Sequence, residues 1–321
     1  MLQLGKLLII WVQIRDLYLY VFRHAIVLNG YVDDHIWRGI RHRNWGDDLN
    51  YYFLQELTGR PVVMYHNFKL AKWFHLKNYL CIGTLLDAVN YSNKQTVVWG
   101  AGVSGQDRDF IIPHKKCAVR GYKTIEFLKN RNYPFPTVVG DPALLLPRFY
   151  EPKFREERRE GRLRGGEQSE GWRGEKELRK YRIGIIPHVI DLKHPIVEEI
   201  RKNHPEILII DLAHYQKWTD VIDQICSCNM ILSSSLHGLI VSDAYGISNC
   251  WIELSGKIPA GYFKYQDYGT SVQRELTQPL RIESFSDIDL AQKQCQQWTK
   301  PEINTNALLA VCPFKTKNPK Y

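Results

Sequence analysis

Short, uninterrupted apolar runs alternate with longer helical stretches in two blocks, and that alternation leaves few folds open to this chain. Pro61–Tyr65, Tyr79–Gly83 and Thr96–Gly100 read as strands, each closing near a glycine or a polar turn. Val119–Lys129 has helical spacing with Ile125 and Leu128 on one side, and Pro136–Asp141 reads as a further strand. The pattern restarts with strand Tyr181–Pro187, helix Pro195–Asn203, strand Ile207–Asp211 and helix Trp218–Ser227. Strand Asn229–Ser233, helix Gly238–Tyr245 and strand Asn249–Glu253 complete it. Strands that are apolar throughout, rather than at every second position, belong to parallel sheets covered by helices on both faces. The expected fold is therefore α/β, with two Rossmann-like domains facing a cleft. Ligands in such sheets bind at the carboxyl ends of strands, and the polar motifs of this chain fall there.

Between the blocks the character changes. Of the 30 residues in 151–180, 18 are charged, ten basic and eight acidic. Such a stretch buries too little apolar surface to offset its ordering entropy, so 151–181 is expected to be an exposed, flexible linker. The expected domains are 1–150 and 182–321, a division that suits 321 residues.

The linker supplies only +2 of a net charge of +9. A basic balance suits nucleic acid, an anionic membrane surface or an anionic substrate. No zinc-finger, RNA-binding-sheet or basic-zipper pattern is present, so nucleic acid is not an expected partner. Seven cysteines, an odd number without a C-x-x-C pair, read as buried reduced thiols of a cytoplasmic protein. Histidines and cysteines lack the spacing of a structural metal site. Leu2–Phe22 is apolar, but Lys6, Gln13, Arg15 and Asp16 interrupt it before the roughly 18–20 residues a spanning helix needs. A small-residue cleavage site is missing as well. Two readings stand for this segment: a buried first element, or one resting on the inner membrane face.

Ile231-Leu232-Ser233-Ser234-Ser235-Leu236-His237-Gly238 is the segment with the clearest chemistry. A strand runs into small hydroxyl residues and then into an apolar helix, an arrangement whose backbone N–H groups suit an anion. His237 at its mouth is either a proton-transfer group or a structural histidine beside capping serines. Gly100-Ala101-Gly102 suits close backbone approach and lacks the ending of a P-loop. His188 and Asp191 after strand Tyr181–Pro187 either line the same cleft or belong to a plain loop. The aromatic run Tyr262–Tyr268 either stacks on a sugar or packs a domain edge.

Ser235-Leu236-His237-Gly238, followed by an apolar helix and Ala244-Tyr245-Gly246-Ile247, resembles the signature of the polysaccharide pyruvyl transferase family. Further pieces agree in order: Asn44-Trp45-Gly46-Asp47-Asp48-Leu49-Asn50, Val98-Trp99-Gly100-Ala101-Gly102, Val119-Arg120-Gly121, Gly140-Asp141-Pro142-Ala143 and Phe263-Lys264-Tyr265-Gln266-Asp267-Tyr268. Together they cover about residues 40–275. Gly121 stands where the family commonly has an acidic residue or serine, and Ser235 where some members have arginine.

The resemblance implies a fold similar to GT-B glycosyltransferases, with the first domain on the acceptor side and the second on the donor side. It implies phosphoenolpyruvate as donor, no cofactor, and as acceptor a hexose of a cell-surface glycan, free or lipid-linked. Carried onto matching residues, Arg120 would hold the donor's phosphate or carboxylate, since a guanidinium pairs bidentately with either. Lys264 would add a second cation. His237 would act as acid/base, with Ser235 and Leu236 offering backbone contacts to the donor. Asn44, Gly46 and Asp47 would face the acceptor. Asp47 or Asp48 would serve as base, or the two would be an N-cap pair opening a helix Leu49–Leu57. A nucleotide-sugar glycosyltransferase of the same fold is the competing enzyme, although its customary late carboxylate pair is not identifiable. A non-catalytic glycan-binding protein is the third reading, and retention of Arg120, His237 and Lys264 speaks against it.

Overall fold

The computed structural model describes residues 2–32, 44–87, 93–113, 115–153, 179–258 and 261–317, with residues 2–9 as backbone only. Nearly all of the expected linker, 154–178, lies outside the described residues. The chain divides into two compact units. Unit 1 is Met1–Phe149 with Ile258–Gln278 and Pro301–Tyr321, and unit 2 is Tyr150–Lys257 with Pro279–Lys300. A single cut near residue 150 therefore does not describe the chain, because it returns twice to unit 1. The segment carrying Lys264, expected in the C-terminal domain, packs in the N-terminal one.

Each unit is built on a five-stranded parallel sheet, as in Rossmann-like domains. In unit 1 the strands are β1 (Ile26–Leu28), β2 (Val62–Met64), β3 (Asn78–Leu80), β4 (Thr96–Trp99) and β5 (Lys115–Ala118), in the order β2-β1-β3-β4-β5. In unit 2 they are β6 (Tyr181–Ile186), β7 (Ile207–Ile209), β8 (Cys228–Ser233), β9 (Ser248–Glu253) and β10 (Leu280–Arg281), in the order β10-β9-β8-β6-β7. Counted from its own first strand, each sheet runs 2-1-3-4-5. That order reverses between the first and third strands. The two crossovers leave that point in opposite directions and open a crevice at the strands' carboxyl ends. In unit 1 the reversal lies between β1 and β3; in unit 2 it lies between β6 and β8.

The helices follow from their sequences. Unit 1 holds α1 (Leu2–Phe22), α2 (Trp45–Thr58), α3 (Lys69–Trp73) and α4 (Tyr122–Asn130). Helix α2 buries Trp45, Leu49, Phe53 and Leu57, one apolar row at four-residue spacing. It stops at Gly59, whose left-handed conformation lets its N–H reach Gln55 O. Unit 2 holds α5 (Pro195–Asn203), α6 (Trp218–Cys226) and α7 (Leu236–Ala244). Helix α5 opens on a proline at its first turn and closes with Arg201 and Lys202 in its last, both suited to those ends. Later returns add α8 (Phe263–Ser271) and α10 (Thr305–Ala310) to unit 1 and α9 (Asp287–Gln296) to unit 2.

Pro136–Asp141, expected as a strand, makes a single bridge, Val139 to Val119. Pro134 and Pro136 lack the N–H a ladder needs, and Asp141 instead caps a 3₁₀ helix (Pro142–Arg148) by accepting from Ala143 N at 2.9 Å. In α1, Val12 and Asp16 are buried while Ile10, Trp11 and Ile14 are exposed. Over residues 10–22 the segment is thus buried along one face only. Among the described residues no helix is long and apolar enough to cross a membrane.

Candidate active site

Unit 1 brings its polar side chains to the carboxyl ends of β1, β3, β4 and β5. Helix α2 follows β1 and begins at Trp45 with Asn44 as its N-cap. Asp47 and Asp48 therefore occupy the first turn and are not themselves the cap pair, and the helix starts four residues before the expected Leu49. Asn44 Nδ2 donates to Asp47 Oδ2 at 2.7 Å. One turn on, the buried Asn50 donates to Ile82 O at 2.8 Å and accepts from Ile82 N at 2.7 Å. These bonds pin α2 to the chain just past β3. Asp47 consequently sits at the switch point, its Oδ1 3.7 Å from where a Cβ on Gly83 would stand.

Asp47 is half-buried and Asp48 fully buried. Desolvation pushes the Asp47 carboxyl up to about 7, and the charge of Asp48 adds to the rise. The positive charge of Lys264 and the Asn44 hydrogen bond oppose it. Lys264 moves the other way. Burial, then the charge of Arg120, bring its ammonium down to about 8, with Asp47 holding it up. A carboxyl and an amine that both titrate near neutrality thus act on one another in this unit. Such convergence is common where protons are exchanged.

Arg120 has a different setting from the one the family pattern implies. Its side chain is fully buried, and all three of its nitrogens are engaged. Nε donates to Asp267 Oδ2 at 2.9 Å, Nη1 to Thr84 Oγ1 at 2.8 Å and Nη2 to Val103 O at 3.1 Å. Gly102 leaves room for the guanidinium, since a Cβ there would stand 2.5 Å from Arg120 Cζ. Asp267 also accepts from Thr124 N at 2.8 Å and from Thr124 Oγ1 at 2.7 Å. Thr270 Oγ1 accepts from Tyr122 N at 2.8 Å. Helix α8 thus caps the N-terminus of α4, which lacks a side-chain cap of its own at Gly121. Lys264 lies one turn before Asp267 on α8, on the same side of the helix, so the clamp that fixes Asp267 also fixes Lys264.

The clamp explains Gly121, where the sequence departs from the pattern it resembles. A Cβ at this position would stand 1.8 Å from Asp267 O. Gly121→Ser should therefore cost at least the roughly 1–3 kcal/mol typical of overpacking. Urea unfolding of the variant checks this, and unchanged stability would mean that α8 does not approach so closely. The aromatic run resolves in favour of packing at two positions, because Tyr265 and Tyr268 are fully buried.

Unit 2 has its own polar edge. Ile186 and Ser233 pair in register at the ends of β6 and β8. Just beyond them Ser234 N donates to Ile186 O at 3.1 Å, and His188 N donates to Ser234 Oγ at 2.8 Å. Ser235 is the N-cap of α7 and makes no side-chain cap bond. His237 is in the first turn and 7% exposed. The first N–H groups of any helix have no intrahelical acceptor, which suits this entrance to an anion. Gly238 is required by close packing: a Cβ there would stand 2.3 Å from Ser233 Oγ. Asp191 is buried and ends a short 3₁₀ helix (Val189–Asp191) whose N-cap is His188. The structure thus brings Asn44, Asp47, Arg120 and Lys264 together in unit 1, and His188, Ser235, Leu236 and His237 at the carboxyl edge of unit 2.

Among the described residues, no group of three or more His, Cys, Asp or Glu side chains could hold a metal ion. Residues missed from sequence are Asn50, Thr84, Thr124 and the role of Asp267. Asn50 and Asp267 fall inside motifs already singled out, and those motifs were the available signal.

The sequence profile of the polysaccharide pyruvyl transferase family matches residues 39–256. An uncharacterised protein, L143, of Acanthamoeba polyphaga mimivirus is 28% identical over 228 residues, 70% of this chain and 69% of that protein. No solved structure matches.

Proposed function

Because the chain belongs to the polysaccharide pyruvyl transferase family, we propose that it moves the enolpyruvyl group of phosphoenolpyruvate onto a hexose of a cell-surface polysaccharide or of its lipid-linked precursor. The product is a pyruvate ketal, phosphate is released, and no cofactor takes part. The observation that carries this reading is the mutual action of Asp47 and Lys264, a base and a cation tuned toward the same pH.

The donor presents a carboxylate and a phosphate, so its site must be cationic. Lys264 is half-buried and supplies that charge directly. Arg120 contributes through its fixed positive charge and by framing α8, because one N–H on each of its three nitrogens is held by Asp267, Thr84 and Val103. Chemistry begins with a proton delivered to the donor's methylene carbon, which leaves a cation-like centre at the adjacent carbon. The first sugar hydroxyl forms a C–O bond there and gives up its proton to a base. The second hydroxyl then forms its own C–O bond as the C–O bond to phosphate breaks, and its proton leaves with the phosphate. His237 is assigned the first delivery and Asp47 the first removal. Asp48, buried beside Asp47, acts by raising its neighbour. Backbone groups of Ser235 and Leu236 belong to the donor side, Asn44 and Gly46 to the acceptor side.

Two measurements test these roles. Phosphoenolpyruvate should raise the melting temperature, because a ligand bound only by the native state stabilises it. Lys264→Met should abolish the rise, and an undiminished shift would remove Lys264 from the donor site. The pH profile of kcat/KM should be a narrow bell. Its rising limb near pH 7 follows deprotonation of Asp47, and its falling limb near pH 8 follows loss of the Lys264 charge. Asp47→Asn should erase the rising limb; a limb that persists in this variant assigns it to another group.

A further inference from the structure

Helix α1 turns an apolar stripe to solvent. Ile10, Trp11, Ile14, Leu17, Tyr18 and Val21 recur at helical spacing and are 42–62% exposed. This side cannot roll inward, because the other side is committed. Val12 and Asp16 are buried, and Leu19 and Tyr20 pack against Val27, Val63 and Phe68. Gln13 locks the helix to the start of α3, donating to Asn67 O at 2.8 Å and accepting from Lys69 N at 2.7 Å. At the far end of α3, Trp73 and Phe74 stack at 5.8 Å and are 78% and 66% exposed. Apolar surface of this extent marks an interaction site.

The charges around it select the partner. Across residues 10–32 and 65–78 the exposed charged side chains are Arg23, Lys69, Lys72 and Lys77, all basic. The single acid of these stretches, Asp16, is buried against Arg15. We propose that this face docks the protein on an anionic lipid bilayer, with α1 lying in the headgroup plane. Apolar and aromatic side chains beside Lys and Arg are the composition of helices that rest at such an interface, and each basic residue near an anionic leaflet adds attraction. From Ile10 to Val21 the stripe runs about 16 Å, several helical turns along the membrane plane. A second copy of the chain is disfavoured as the occupant, since it would bring like charges together.

The proposal is independent of the catalytic reading and is tested without turnover. The protein is sedimented with vesicles of phosphatidylcholine alone, and with vesicles in which roughly a third of the lipid is phosphatidylglycerol. It should bind the second at least tenfold more tightly and be released by salt. Ile14→Gln combined with Tyr18→Gln should remove the binding while leaving the melting temperature unchanged, because both side chains are exposed. Lys69→Ala with Lys72→Ala should weaken it on anionic vesicles alone. Equal binding to both vesicle types, binding to neither, or undiminished binding by the glutamine variant would overturn the proposal. So would light scattering that shows a dimer which the glutamine variant splits, since a second copy would then cover the stripe.

Discussion

Asp267→Ala should lower the stability of the protein by about 3–5 kcal/mol, the cost of leaving one partner of a buried ion pair alone. Arg120 and Asp267 are both fully buried, so water cannot replace the lost carboxylate. The same change strips the cap from Thr124 at the start of α4. Arg120→Ala should be destabilising on a similar scale, because it leaves the Asp267 carboxylate uncompensated and opens a cavity. The double variant Arg120→Ala, Asp267→Ala should lose less stability than the sum of the two single losses, the signature of two residues that act as one unit. Urea unfolding of all three decides the matter. If Arg120→Ala unfolds like the parent and loses only donor affinity, Arg120 is a donor ligand and the clamp is not its role.

His237→Gln should lower kcat/KM by roughly 10²–10⁴, the usual contribution of a general acid, and leave the phosphoenolpyruvate-induced melting shift in place. Glutamine fills much of the same volume, so a packing role would show instead as a lower melting temperature with activity largely retained. The two effects separate the two readings open for His237, because one appears in turnover and the other in stability.

Much of this architecture was legible because parallel strands buried on both faces carry continuous apolar runs. β6, β8 and β9 are six residues each and stand out accordingly. Strand β1, second in its sheet, did not, because its three residues begin only four positions after the end of the apolar α1 and blend with it. β5 escaped as well, since it begins Lys115-Lys116 and runs from exposed to buried. The site was legible as motifs but not as geometry. Arg120 and Asp267 are 147 residues apart and Asn50 and Ile82 are 32 apart. Composition and spacing describe neighbours in the chain, so they do not reveal that α8 crosses back to cap α4. For the same reason Arg120 read only as a cation for the donor's phosphate or carboxylate, and its buried ion pair with Asp267 was not legible.

The most direct test of pyruvyl transfer is inorganic phosphate release from phosphoenolpyruvate by the intact protein, with a panel of lipid-linked and free oligosaccharide acceptors. Phosphate should appear only when a competent acceptor is present. It should match, mole for mole, an oligosaccharide that has gained a pyruvate ketal, and it should vanish in His237→Gln. Absence of phosphate release with every acceptor, together with turnover of a nucleotide sugar on the same panel, would contradict the reading.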